Sequence, residues 1–387
     1  MHKDVIKYIS TPSHSQDADN QDNLKKRRAS GLELYRIIVM LMIVAHHYVV
    51  NSGLMAVLNE SLGTAASNMM LLFGAWGKTG INCFVLITGY FMCKSKISRK
   101  KLLKLYLQIT FYTLLIYSIF CFTGHESFHS LKAVWKLFPV KSISSNFVGC
   151  FLLFYLFIPF LNIFLEHIDK KIHSYLVVLL LLVFSILPSI PSIDISFNYV
   201  SWFIALYMIA SYMRFYGDDF NITHRQWGYA AIMSILLGCV SIVAMIYLRN
   251  KGIIHSFHVY FFVSDSNKIL SLLIALTTFM WFKGLNIGYI PLVNILGAST
   301  FGVLLIHANS NAMRQWLWKE TIDCVGHYNG EILYTLGYAI ISVVIIFTIC
   351  AAIEWIRATF IEPYIMHFSE KFINRIRKPQ NTFLVKQ

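Results

Sequence analysis

Residues 24–51, LKKRRASGLELYRIIVMLMIVAHHYVVN, run from four consecutive basic residues straight into an apolar segment that carries Glu33, Arg36, His46 and His47. The apolar part is about 20 residues long, enough to cross a bilayer as a helix. Ionisable groups in such a segment are costly in lipid, so they normally face a bundle interior or a water-filled cavity and mark function. Arg36 and His47 are eleven positions apart, which at about 100° per residue brings them to within roughly 20° of one another and about 16 Å apart in height. Met40 and Ile43 occupy the same stripe between them. The first helix therefore reads as one wall of a polar passage, with a cation low and an imidazole high.

The rest of the composition agrees with a membrane setting. The chain has 387 residues, of which 57% are hydrophobic and only 13% charged, and its mean hydropathy is +0.59; soluble domains carry about a quarter of their residues as charges. The formal net charge of +14 lies mainly in short Lys/Arg clusters beside apolar spans, which the positive-inside rule explains. No nucleic-acid motif accompanies it. Seven cysteines show no CxxC and no metal-ligand spacing; Cys83, Cys93, Cys150, Cys239 and Cys350 fall within or at the ends of apolar segments and read as buried thiols, while Cys121 and Cys324 fall on the outer side, where one disulfide could form but nothing in the sequence supports it. Residues 1–23 are polar and predicted to be disordered. No A-x-A-like cleavage site follows the first apolar segment, so it is expected to be retained as a span.

Hydropathy predicts an all-α, polytopic membrane protein with about ten transmembrane helices in one bundle, at 32–51, 72–93, 103–122, 147–166, 174–190, 199–216, 227–248, 267–284, 292–311 and 332–355. Pro188 and Pro191 interrupt the fifth and sixth. Lys25 to Arg28, the cluster from Lys94 to Lys104, Lys170 with Lys171, and the tail residues Lys371, Arg375, Arg377 and Lys378 all fall on one side if the first span enters from the cytoplasm. Residues 52–71 and 191–198 contain no Lys or Arg, so both termini are expected to be cytoplasmic. The predicted organisation is a disordered basic N-terminus at 1–30, a transmembrane domain at 31–356 and a basic tail at 357–387. Two outer loops, 123–146 and 312–331, carry Trp135, Trp316, Trp318 and several histidines and acids, which suit either carbohydrate stacking or interfacial anchoring.

Spans one and nine both run from inside to outside, and His47 and His307 each lie about 15 residues along, some 22 Å from the inner edge. His46 points about 100° away from His47 and is secondary. Glu33 and Arg36 have the i, i+3 spacing of a local ion pair, which alone would account for them, as backbone hydrogen bonds would for the histidines. His255 and His258 have no further ligand at metal spacing, and no metal is predicted. Ser299 and Thr300 lack a nucleophile elbow and read as packing contacts.

These landmarks resemble the acyltransferase-3 family of integral membrane proteins. ELYR at 33–36, with ten residues separating Arg36 from His47, is similar to the family's Arg-x10-His opening. GINCFVLITGYFM at 80–92 resembles its Ser-Gly-Tyr/Phe pattern with Thr88 in place of serine, WFIALYMIASYMR at 202–214 resembles its W-F-x-x-x-Y helix, and LGASTFGVLLIH at 296–307 resembles its late S-x-G-x-x-x-x-H pattern. Order and spacing agree over nearly the whole chain. Lys101 and Lys104 stand where the family has R-x-x-R, keeping charge but not the bidentate geometry of arginine. The tryptophan often seen near the fourth span is absent from NFVGCFLLFY, and no C-terminal esterase-like domain follows the last span.

The resemblance implies transfer of an acyl group, usually acetyl from acetyl-CoA, to a hydroxyl of a cell-surface or exported glycan by an enzyme of the plasma membrane. On that reading His47 is the general base, His307 orients it or contacts the acceptor, and Glu33 completes the catalytic set. Arg36, Lys101 and Lys104 would hold the CoA phosphates. The rival reading is a transporter or flippase of a glycolipid precursor, which broken helices and inverted repeats would favour; the sequence shows no repeat.

Overall fold

The computed structural model describes residues 30–138, 147–193, 195, 198–254 and 258–377, with only the backbone of 372–377. Lys25 to Arg28, the 1–23 tail, His255 and Lys378 lie outside the described residues, as do the side chains of Arg375 and Arg377.

Every regular element among the described residues is helical, and a helix coincides with each of the ten predicted spans: α1 Ser30–Val50, α2 Gly77–Met92 (led in by Ala65–Gly74), α3 Arg99–Phe122, α4 Phe147–Glu166, α5 Lys170–Leu181, α6 Tyr199–Tyr216, α7 His224–Asn250, α8 Ile269–Lys283, α9 Pro291–His307 and α10 Ile332–Ile356. Among the described residues seven helices are long and apolar enough to cross a membrane, and the protein is a multi-pass membrane protein. The other three predicted spans fall on α6, on α8, which has only 15 residues, and on α9, which meets the segment Asn311–Thr321 at a 96° bend. That bent pair makes an eighth crossing if it counts as one span.

Local chemistry explains where the helices start. Ser98, Asp169 and Asn198 each accept a hydrogen bond from a backbone N–H of the first turn, at 3.2, 2.7 and 3.0 Å, satisfying donors that the helix itself cannot. Thr223 and Gln226 form a reciprocal capping box at the start of α7. Pro291 occupies the first turn of α9, where its fixed φ fits and its missing N–H costs nothing.

Helix α1 is the hub, packed against α2, α8, α9, α10 and Ala65–Gly74. Its contact faces bury Tyr35, Val39, Met40, Val44, Tyr48 and Val49 to 2% exposure or less. Small residues let backbones approach, as is usual between membrane helices: a Cβ on Gly80 would lie 2.7 Å from Ile43 Cγ1, and one on Gly297 would lie 2.9 Å from the Glu33 carbonyl oxygen. Met40 and Ile43 are both buried, so the stripe between Arg36 and His47 is packed with apolar side chains where the sequence pointed to a polar wall.

One further difference is clear. Helix α10 does not stop near 355 but continues through a π-helical turn, Arg357–Ile361, into Glu362–Arg377, and Arg357 is buried at 4% exposure. All seven cysteines are free thiols, in keeping with their unpaired spacing, and Cys121 and Cys324 are not joined.

Candidate active site

Helices α1 and α9 are parallel neighbours whose starts are tied together. Ser30 Oγ at the first residue of α1 accepts hydrogen bonds from the Ile290 backbone N–H at 2.8 Å and from Asn294 Nδ2 at 2.7 Å. From that common level His47 and His307 are each some 16–17 residues along their helices, a rise of about 24–26 Å. Matched starts and matched lengths bring the two imidazoles together: His47 Nδ1 and His307 Nε2 are 2.9 Å apart.

The protons of this pair can be assigned from the hydrogen-bond network. His307 Nδ1 lies 2.6 Å from the Val303 carbonyl oxygen. A carbonyl only accepts, so His307 Nδ1 carries the proton and, in the neutral ring, Nε2 is an acceptor. His47 Nδ1–H therefore donates to it, which leaves His47 Nε2 with a free lone pair. The exposures divide the same way, since His307 is completely buried whereas His47 is only partly so. His46 is turned away as its helical phase requires; its Nδ1 donates to the Gly74 carbonyl at 2.6 Å, and its ring packs against Gly77.

The surroundings of the pair include Arg314 and Lys78, which the sequence reading passed over, and Trp318, which it placed in a loop. Beyond His307 the chain bends by 96°, with Ser310 Oγ accepting from the Met313 N–H at 3.1 Å to start the next helix. The bend turns Arg314 back towards the pair, close enough for its charge to act on both rings, while Lys78 acts on His47 from α2. Lys78 is paired, donating to Tyr199 at 2.8 Å and lying 3.3 Å from Asp265. Arg314 has only a weak 3.4 Å bond to Asn311, and its Nε is buried with no partner among the described residues. Trp318 is sealed edge-on against His307 at 6.4 Å and against Tyr48 at 6.0 Å, and its buried Nε1–H is likewise unpartnered. Just past the C-terminal end of α1 a pocket of about 260 Å³ is lined by Ser52, Gly53, Lys319, Asp323 and Val325.

The other predicted site residues are not gathered here. Glu33 and Arg36 form an ion pair at 3.0 Å near the start of α1. Lys101 and Lys104 are exposed on α3, which packs on α4 and α9, and Lys104 pairs with Glu362. Thr88, Ser299 and Thr300 each donate to a carbonyl of their own helix, as packing residues do. Among the described residues no group of three or more His, Cys, Asp or Glu side chains is gathered.

A second buried polar cluster lies lower on α9. Glu354 of α10 packs on Gly302, five residues before His307 and so about 7.5 Å below it along the helix. Its carboxylate accepts from Tyr112 at 2.7 Å, Gln108 at 2.9 Å, and Arg357 Nε and NH2 at 2.8 and 2.9 Å. Arg357 also donates to Glu362 at 2.7 Å.

Comparison with known families gives one match. A family model described as an acyltransferase domain matches residues 30–351, from the first residue of α1 almost to the end of α10, with both histidines inside it. No curated protein and no solved structure matches the chain.

Proposed function

Because the chain belongs to the acyltransferase domain family, we propose that this membrane acyltransferase carries an acyl group, acetyl in the simplest case, from acyl-CoA to a hydroxyl of a cell-surface or exported glycan. The observation that carries this reading is the 2.9 Å contact between His47 and His307, which leaves one unprotonated imidazole nitrogen on a partly accessible ring.

His47 Nε2 is the general base. The acceptor hydroxyl gives it a proton as the oxygen bonds to the thioester carbonyl carbon. The tetrahedral oxyanion then collapses, the C–S bond breaks, and the departing thiolate takes the proton back from His47, leaving an ester and a free thiol. His307 is the positioning residue: its Nε2 accepts from His47 Nδ1–H and holds the ring in the required tautomer. Arg314, the cation with a buried unpartnered Nε, supplies positive potential where the oxyanion develops. The pocket over Ser52 and Asp323 is the approach for the acceptor. Glu33 fixes Arg36 near the opposite end of α1, about 16 Å below the base, on the side from which a plasma-membrane enzyme draws cytoplasmic acyl-CoA. Lys101 and Lys104 stand on α3, which packs on α4 and α9, so of the three predicted donor-binding cations Arg36, on the helix of the base itself, is retained.

The bend after His307 is a broken-helix feature of the kind transporters use, but family membership and the histidine pair favour chemistry. The test is a cell expressing His47→Ala: acyl esters on its surface glycan should disappear while glycan export continues. Lost export with normal acylation of the remaining polymer would overturn the reading.

A further inference from the structure

The end of the bundle where α1 begins holds a second group of cations, which among the described residues have no carboxylate partner. Tyr90, in the last turn of α2 and 3% exposed, is the aromatic floor of the group. Arg214, in the last turn of α6, lies over its ring at 4.7 Å and donates from NH1 to its hydroxyl at 2.9 Å. Lys283, the last residue of α8, lies over the same ring at 5.2 Å. Lys94, just beyond α2, lies over Phe215 at 5.4 Å, beside Arg214.

Three features of this arrangement point to a ligand. Arg214 and Lys283 lie 4.7 and 5.2 Å from the centroid of the same ring and are therefore less than about 10 Å apart, within a Debye length at 0.1 M salt, so their repulsion is not screened away. Among the described residues neither they nor Lys94 has a carboxylate partner, whereas Lys100, Lys104, Lys170 and Arg36 at the same end do. The Nε–H of Arg214 is buried and has no partner among the described residues, and a buried donor without an acceptor is costly. An anion with several acceptor oxygens would relieve all three. The place also fits the site above: Phe282, the neighbour of Lys283, stacks on Tyr35 at 4.9 Å, so the cluster stands beside the start of α1.

We infer that Arg214, Lys283 and Lys94, arranged around Tyr90, form the phosphate-binding vestibule for the nucleotide portion of the donor, with Arg214 as the bidentate contact. The assignment rests on the proposal that the donor is acyl-CoA. It replaces Lys101 and Lys104 in the role the sequence gave them.

The test measures CoA binding by calorimetry to the full chain in phosphatidylcholine nanodiscs, for wild type, Arg214→Gln, Lys283→Gln and Lys104→Ala. Each of the first two substitutions should raise Kd by about tenfold or more, and raising salt should weaken wild type more than Arg214→Gln. Lys104→Ala should leave Kd unchanged. Lys283 is only partly buried, so its variant reports on binding even if Arg214→Gln unfolds. If wild type binds CoA and both Gln variants bind it within twofold, the vestibule is wrong while the donor survives; if wild type does not bind CoA, the donor reading falls and takes the vestibule with it. A third arm adds phosphatidylglycerol to the discs. Competition with CoA that depends on Arg214, in variants whose CoA affinity in neutral lipid is unchanged, would assign the site to a lipid headgroup and overturn the inference.

Discussion

Two buried polar clusters sit on α9, about 7.5 Å apart along it, and they differ in how completely they are satisfied. Around Glu354 both carboxylate oxygens are saturated, and the paired charges of Glu354, Arg357, Glu362 and Lys104 cancel. Around His47 one ring nitrogen is left over, and Arg314 Nε and Trp318 Nε1 have no acceptor among the described residues. A closed network stiffens the bundle and offers nothing to a substrate; an open one has hydrogen bonds still to make. Burial and charge alone would have ranked Glu354 first, so the accounting of donors and acceptors is what separates scaffold from chemistry.

Substitutions can break this contrast. The largest effect is expected at Arg357: its replacement by Ala leaves Glu354 charged and buried, and should lower stability by about 3–5 kcal/mol, read as a fall in the thermal midpoint in detergent. Acyl transfer per folded molecule should change by less than about threefold, well short of the tenfold that a barrier change of about 1.4 kcal/mol would give. His307→Ala should act on the chemistry instead. It removes the acceptor that fixes the His47 tautomer and should cut kcat per folded molecule by about 10–100-fold, roughly 1.4–2.7 kcal/mol in the barrier, with KM for the donor unchanged; because the ring is buried, the cavity it leaves lowers the thermal midpoint as well. The smallest effect is expected at Lys104→Ala, because that side chain is 53% exposed and an exposed ion pair contributes about 1 kcal/mol or less. A comparable loss of activity in Arg357→Ala and His307→Ala, each measured per folded molecule, would erase the distinction between the clusters.

Much of this was legible in the sequence because lipid imposes long apolar runs. Each of the ten predicted spans coincides with a helix, and the equal depth of His47 and His307 followed from counting residues from the inner edge. What stayed hidden has physical causes. The 96° bend occurs at Ala308-Asn309-Ser310, with no Gly or Pro to announce it, and only Ser310 as a capping signal; Arg314 was therefore read as part of an outer loop. Glu354 and Arg357 were assigned to a span end and a basic tail because hydropathy drops there, although EWIR at 354–357 repeats the E-x-x-R spacing of ELYR at 33–36. The cations around Tyr90 lie on three helices far apart in sequence, so nothing local could unite them. In the opposite sense, the stripe from Arg36 to His47 looked like a passage, but packing against α2 buries Met40 and Ile43.

The most direct test of the account is single-turnover acyl transfer by His47→Gln in nanodiscs, measured alongside its CoA affinity. Gln keeps the volume and a hydrogen-bonding group but cannot take a proton, so kcat should fall by about 10²–10⁴-fold, the range typical of a lost general base, while Kd for CoA and the thermal midpoint stay at wild-type values. A rate within about threefold of wild type would leave too little of that range for proton transfer, and would contradict His47 as the base.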